Sequence, residues 1–143
     1  MDANDRIDKW GIVQLYVGAL KNEAWIEAIS LGYTLIEMQL RFLAASKAHP
    51  SGNPIPEAQI EKCRYLMDLA ALTRDKGVLP QPIFDKTEAF NTSRIRSIHK
   101  LLTETVTRSE LESTAKSVTP IYKAIQDLWL PITIGPEQRV TNE

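Results

Sequence analysis

Arg94 and His99, five residues apart in one predicted helix, are the strongest chemical signal in the chain. An imidazole side chain titrates near pH 6.5 and can take or give a proton at neutral pH. A guanidinium is permanently charged and offers a planar fork that matches phosphate oxygens. With about 100° per residue and Arg94 at zero, Ile98, Phe84, Leu102, Ile95 and Val106 fall between about 40° and 120°. Phe90 and Leu101 fall at about −40° and −20°. Arg94 therefore points into an apolar arc. Asn91 lies beside it near 60°, and His99 lies at the other rim, near 140° and roughly 7.5 Å along the axis. Lys100, Arg96 and Glu104 take the opposite, wet face. A charge in the middle of an apolar face must be paired or must open onto a cleft, because burying it alone is very costly. Asn91 is placed to orient a phosphate or the histidine, and Ser97 is a weaker candidate for the same work.

Other chemical signatures are missing. The sequence has no phosphate-binding glycine loop, no zinc-ligand pair at helical spacing and no nucleophile elbow. Two histidines and one cysteine make a poor metal inventory, so no metal and no cofactor are expected. Cys63 shares an apolar stripe with Leu66 and Met67 and reads as packing; His49 falls in a Pro/Gly loop and reads as solvated. Glu37 and Arg41 have the i,i+4 order of a structural ion pair, and the three tryptophans fit helix packing better than base stacking.

The elements that must carry these residues are helices. Prolines and glycines cluster at 49–56, 77–82 and 131–136, and between them run segments rich in good helix formers. No segment alternates over the length of a convincing strand, although Ile132–Ile134 could pair briefly. The expected fold is all-α, an antiparallel bundle of four or five helices in a single domain over 1–143, with a short tail over 131–143. The helices are predicted at about Asp5–Leu20, Glu23–Ala48 with Asn22 as cap, Glu57–Lys76 stopped by Gly77, Ile83–Val106, and a fifth toward Trp129. Ser109 and Glu112 have capping-box spacing for the fifth, Pro120 must kink or split it, and Pro131 is expected to end it. In the second helix Trp25, Ile29, Gly32, Ile36, Leu40 and Leu43 recur at spacings of three and four beside the row Leu31, Leu35, Met38, Phe42 and Ala45. So wide an apolar arc belongs at the centre of a bundle or in a subunit interface. Gly32 costs about 1 kcal/mol against alanine in mid-helix, which implies close approach by a neighbour. Trp25, Ile36, Leu40, Leu66 and Ile98 are the expected core.

The chain has 143 residues, 17 Lys plus Arg, 18 Asp plus Glu and a formal charge of −1. This near-neutral balance excludes a charge-driven coat for long nucleic acids, so any polyanion must be met at a local patch. The first eight residues carry three aspartates and no apolar stretch of signal-peptide length, and Glu27, Glu37, Gln39, Arg41 and Lys47 interrupt the most apolar segment. A cytoplasmic protein without a membrane anchor is the expectation, and the single cysteine agrees with a reducing compartment.

The run Arg94-Ile-Arg-Ser-Ile-His99 resembles the Arg-x4–6-His motif of the HEPN superfamily, the higher eukaryote and prokaryote nucleotide-binding domains. Ala28–Arg41, with its Leu-Ile-Glu-Met-Gln-Leu-Arg run, resembles the early helix of such domains. The helix ending in Asp75-Lys-Gly-Val-Leu79, the short gap before the Arg/His helix, and the final helix match the usual layout, so the resemblance covers most of the chain. It departs at Ile95, where catalytic members commonly carry a polar residue, and at Leu101, where one toxin branch has tyrosine. The resemblance implies metal-independent endoribonuclease activity in a homodimer, of the kind used in toxin, stress or phage-defence systems, with RNA as substrate and a neutralising or regulatory protein as a further partner. Attack by a ribose 2′-hydroxyl on its neighbouring phosphate needs a base, a proton donor and charge stabilisation. His99 and Arg94 from two copies would supply these across an interface through the Arg/His helix. The competing reading is a non-catalytic helical dimer that binds RNA or protein, with Arg94 paired to Glu37 or to a carboxylate across the interface.

Overall fold

A computed structural model describes residues 9–48 and 50–134, and their regular structure is entirely helical. The order is α1 (Lys9–Lys21), α2 (Trp25–Ala45), α3 (Glu57–Glu61), α4 (Leu66–Asp75), α5 (Gln81–Thr103), α6 (Arg108–Lys116) and α7 (Val118–Ile134). Helix α2 is central and packs against α1, α4, α6 and α7, whereas α5 packs against α4, α6 and α7. The predicted stripe of α2 is wholly interior: Trp25, Ile29, Gly32, Ile36, Leu40 and Leu43 are all buried. No helix among the described residues is long and apolar enough to cross a membrane.

The compensation predicted for Gly32 is present. A Cβ placed there would lie 2.5 Å from Cγ2 of Val118, the first residue of α7. The junction of α6 and α7 thus sits directly on the middle of α2. Tyr16 of α1 holds the same junction, its hydroxyl donating to the Ala115 carbonyl at 2.7 Å and lying 3.0 Å from Thr119 Oγ1. Ala115 is in the last turn of α6, where carbonyls lack helical partners. Burial pushes the Tyr16 hydroxyl's pKa up, which keeps this donor protonated. Further along α2, the buried Gln39 accepts a 2.6 Å hydrogen bond from the Trp129 indole of α7.

Several boundaries differ from expectation. Asn22 does not cap α2; Ala24 stands at the N-cap with no side-chain bond. The turn is instead closed from the α1 side. Glu23 takes φ 56°, and the Ala24 and Glu23 N–H groups reach Ala19 and Leu20 carbonyls, a Schellman ending without glycine. Gly77 makes the same ending for α4 at φ 76°, with Val78 N–H bonded to Thr73, as the sequence implied.

The predicted helix over Glu57–Lys76 is two helices broken at Lys62–Tyr65. Side chains take up the backbone groups the break exposes. Arg41 bonds the Cys63 carbonyl, Asp68 accepts from the Tyr65 N–H, and the Tyr33 hydroxyl accepts from the Leu66 N–H. The fifth predicted helix splits at Ser117, which places Pro120 in the first turn of α7, where no helical N–H bond is required. Its capping box is Thr107 with Glu110, not Ser109 with Glu112. Both registers have the right spacing. The one adopted also lets Glu110 meet Lys100 at 2.9 Å. Pro131 does not end α7, which continues to Ile134, so the suggested pairing segment is helical. His49 and residues 135–143 of the expected tail lie outside the described residues.

Ile98 is not in the core: it is 46% exposed, whereas Trp25, Ile36, Leu40 and Leu66 are buried as expected. The cause is unequal helix length. At 1.5 Å per residue α4 is about 15 Å long and its neighbour α5 about 34 Å. The α4–α5 packing covers Phe84 and Phe90, but α5 outruns α4 before Ile95 and Ile98.

Gly32→Ala is expected to destabilise the fold by about 1–3 kcal/mol, because Val118 is β-branched and cannot swing its methyls away. In a Val118→Ala background the same change should cost at least about 1 kcal/mol less. Urea denaturation of the four proteins of this cycle checks it, and strictly additive effects would rule out the contact as the reason for the glycine.

Candidate functional site

Tyr33, on the face of α2 turned toward α4 and α5, organises the site. Its hydroxyl receives the Leu66 N–H at 3.0 Å, so the N-terminal end of α4 is fastened to α2. Its ring carries the Arg94 guanidinium, whose central carbon lies 4.3 Å from the ring centroid. Arg94 donates to the Asn91 side-chain oxygen at 3.0 Å, one turn back on α5. The half-buried arginine has no carboxylate partner among the described residues, and its Nε is buried with no hydrogen-bond acceptor. Glu37, the sequence-level candidate for pairing with it inside one chain, is engaged by Arg41 at 3.3 Å. Glu37 and Arg41 are therefore the structural pair their spacing implied.

Arg94 opens into a groove of about 320 Å³ between α2 and α5. Ile29, Ile98, Leu101 and Leu111 form apolar walls, and Ser30, Thr34 and Ser97 add hydroxyls. Asn91, Arg94 and Ser97 thus gather on one side of α5, with Asn91 holding the arginine. His99 does not line this groove. It is exposed, its imidazole makes no hydrogen bond among the described residues, and its carbonyl accepts from Thr103 Oγ1 at 2.8 Å. One chain therefore keeps Arg94 and His99 on different faces of α5, as their 140° separation on the helical wheel requires.

Between those two residues runs an uncovered apolar stripe. Ile95 is 53% exposed, Ile98 46% and Leu102 81%; Leu101, 44% exposed, lies just past the Arg94 edge, and Ile26 at the start of α2 adds another 56% exposed side chain. Ile26 and Leu101 line the same hollows, so the apolar surface is continuous from α5 to α2. Scattered exposed apolar residues are ordinary; a contiguous set along one helix is a candidate contact surface.

Sequence reasoning missed Tyr33. Its signal was its place beside Gly32 in the quoted Ala28–Arg41 segment, but nothing in the spacing identifies which residue will lie under an arginine 61 positions later. Cys63 is partly buried, and desolvation raises its thiol pKa, so it has the character of a packing residue and not of a nucleophile. Among the described residues no group of three or more His, Cys, Asp or Glu could hold a metal ion.

Because Arg94 has a ring and not a carboxylate beneath it, removing it strands no buried negative charge. Arg94→Ala should cost no more than about 2 kcal/mol, the upper range of a cation–π contact. Breaking a buried ion pair would cost about 3–5 kcal/mol. Chemical denaturation separates the two outcomes, and a loss in the higher range would mean that an acidic partner holds the arginine. Comparison with protein-family models, with curated proteins and with solved structures gives no match for this chain.

Proposed function

We propose that the protein is a metal-independent endoribonuclease of the HEPN type, acting as a homodimer formed through α5 and the start of α2. The observation that carries this reading is Arg94 itself. It is a half-buried, permanently charged fork, fixed by Tyr33 and Asn91, with no acidic partner and an unsatisfied Nε beside an open groove. Such a group is suited to a phosphate oxygen. In this mechanism Arg94 stabilises the charge that develops on the scissile phosphate. The ribose 2′-hydroxyl loses its proton and attacks phosphorus, the bond to the 5′-oxygen breaks, and that oxygen leaves with a proton. His99 serves one of the two proton transfers, and the products end in a 2′,3′-cyclic phosphate and a 5′-hydroxyl. Asn91 orients the arginine. A two-fold contact through the Ile95–Leu102 stripe covers the exposed apolar surface and sets two arginines and two histidines along one seam.

Two observations favour a second reading, a dimeric binding module without catalysis. Within a protomer His99 faces away from the Arg94 groove, and Ile95 follows the arginine where a polar residue would assist chemistry.

Two measurements test these readings. The purified protein should cleave single-stranded RNA in the presence of EDTA, leaving cyclic phosphate ends. His99→Ala should lose at least the roughly 10²–10⁴-fold that general acid–base catalysis supplies, and Arg94→Ala a similar factor. Equal cleavage by the double variant overturns the assignment, and a parent inert on RNA leaves the binding module. Light scattering should give twice the protomer mass at micromolar concentration. Leu102→Asp, a change at an already exposed position, should yield a folded monomer that has lost cleavage. A parent that is only monomeric rules out the shared seam.

A further inference from the structure

The face of α5 away from the apolar stripe bears a second groove that the proposed chemistry leaves unused. Lys86, Ala89, Ser93, Arg96 and Lys100 repeat at spacings of three and four, so they form one continuous row along the helix. Arg96 and Lys100 line a hollow of about 310 Å³ against α6, with Ser93, Ser109 and Ser113 among its walls. Lys86 lines an adjoining hollow of about 240 Å³ that shares Ser93 and Ser113. The two hollows make one trough. Its lining carries three cations against a single carboxylate, Glu110, in a chain whose formal charge is −1. Arg96 has no ion pair or hydrogen bond from its side chain among the described residues, and Lys100 is held by Glu110 at 2.9 Å. From Lys86 to Lys100 the axial length is about 21 Å, roughly that of six stacked nucleotides.

We infer that this trough binds the phosphate backbone of single-stranded RNA and delivers the strand to His99. The inference rests on the ribonuclease reading for the purpose of the delivery, and on the trough alone for the binding. Cations spaced along one wall and serine hydroxyls on both suit a chain of phosphates: the charges attract it, and the hydroxyls donate to its oxygens without reading bases. His99 stands three residues beyond Arg96 on the same helix, so a strand lying on Arg96 and Lys100 passes the imidazole. Glu110 competes with phosphate for Lys100. Glutamine at this position keeps the α6 capping box and removes the competing charge.

The test uses the full-length protein and a fluorescein-labelled oligouridylate with 2′-O-methyl sugars, which binds but offers no 2′-hydroxyl for attack. Fluorescence anisotropy over a salt series should give a log–log slope of about −2, as three phosphate contacts to a single strand imply. Lys86→Gln, Arg96→Gln and Lys100→Gln should each weaken binding and flatten the slope by about 0.7. Glu110→Gln should tighten binding, and Lys47→Gln, at an exposed site outside the trough, should change nothing. A Lys86→Gln/Arg96→Gln double variant that keeps the parent affinity and slope overturns the trough, as does a Lys47→Gln variant that weakens binding as much as the trough variants do. The two proposals fail separately. Trough-dependent binding by a protein that cleaves no 2′-hydroxyl RNA sinks only the ribonuclease reading. Cleavage whose KM is unchanged by the trough variants sinks only the trough.

Discussion

The contact of Gly32 with Val118 sets where the α6–α7 junction rests on α2. Only a residue without a side chain lets the α6–α7 junction rest on the backbone of α2, and that junction turns the chain. From it α7 runs along α2 and brings Trp129 to Gln39, while α6 lies between α2 and the second half of α5. The same turn sets both grooves. The trough exists because α6 comes close to one side of α5. The Arg94 groove exists because α6 contributes only Leu111 to the other side, leaving α2 and α5 apart there.

Holding Arg94 over a tyrosine ring has an electrostatic consequence. A carboxylate would hold the guanidinium in place but neutralise its field, and any incoming anion would have to displace that carboxylate. An aromatic face attracts the cation by about 0.5–2 kcal/mol and leaves its net charge intact. Asn91, a neutral acceptor, fixes orientation on the same terms. The position is therefore stiff and uncompensated at once, which is the condition for strong interaction with a developing negative charge. Tyr33 also fastens the start of α4, so the support of Arg94 and the break between α3 and α4 share one side chain.

Much of this was legible in the sequence because it follows from local periodicity. The apolar stripe of α2, the glycine that needs a close neighbour, the glycine stop at Gly77 and the helix that carries Arg94 all depend on residues within a few turns of one another. What escaped depends on the lengths and positions of other elements. Ile98 has the periodicity of a core residue and is exposed because α4 is too short to reach it, which no property of α5 reveals. The wheel placed Arg94 on an apolar arc correctly, yet that arc is divided between a buried portion at Phe84 and Phe90 and an open portion from Ile95 onward. Thr107 and Ser109 offered equally spaced capping boxes, and a lysine on another helix stabilises one of them. Tyr33 could not be assigned at all, since its two partners come from α4 and α5.

Helix α5 meets three environments around its circumference in its second half. Ser97 faces inward, Ile95, Ile98 and Leu102 face outward and apolar, and Arg96 and Lys100 face the trough. Arg94 stands at one edge of the apolar strip and His99 at the other, next to the cationic row. Were the strip to be covered from within the chain, both polar residues would be buried at the edges of a core and would need partners there. Left open, the strip separates the Arg94 guanidinium from the His99 imidazole by about 140°. No rotamer closes that angle within one helix. The proposed mechanism therefore requires a second surface that folds the substrate across the strip or supplies the missing group itself. In the proposed dimer, a two-fold copy whose axis runs along α5 would do the latter with no additional sequence, because it would set an Arg94 edge opposite each His99 edge.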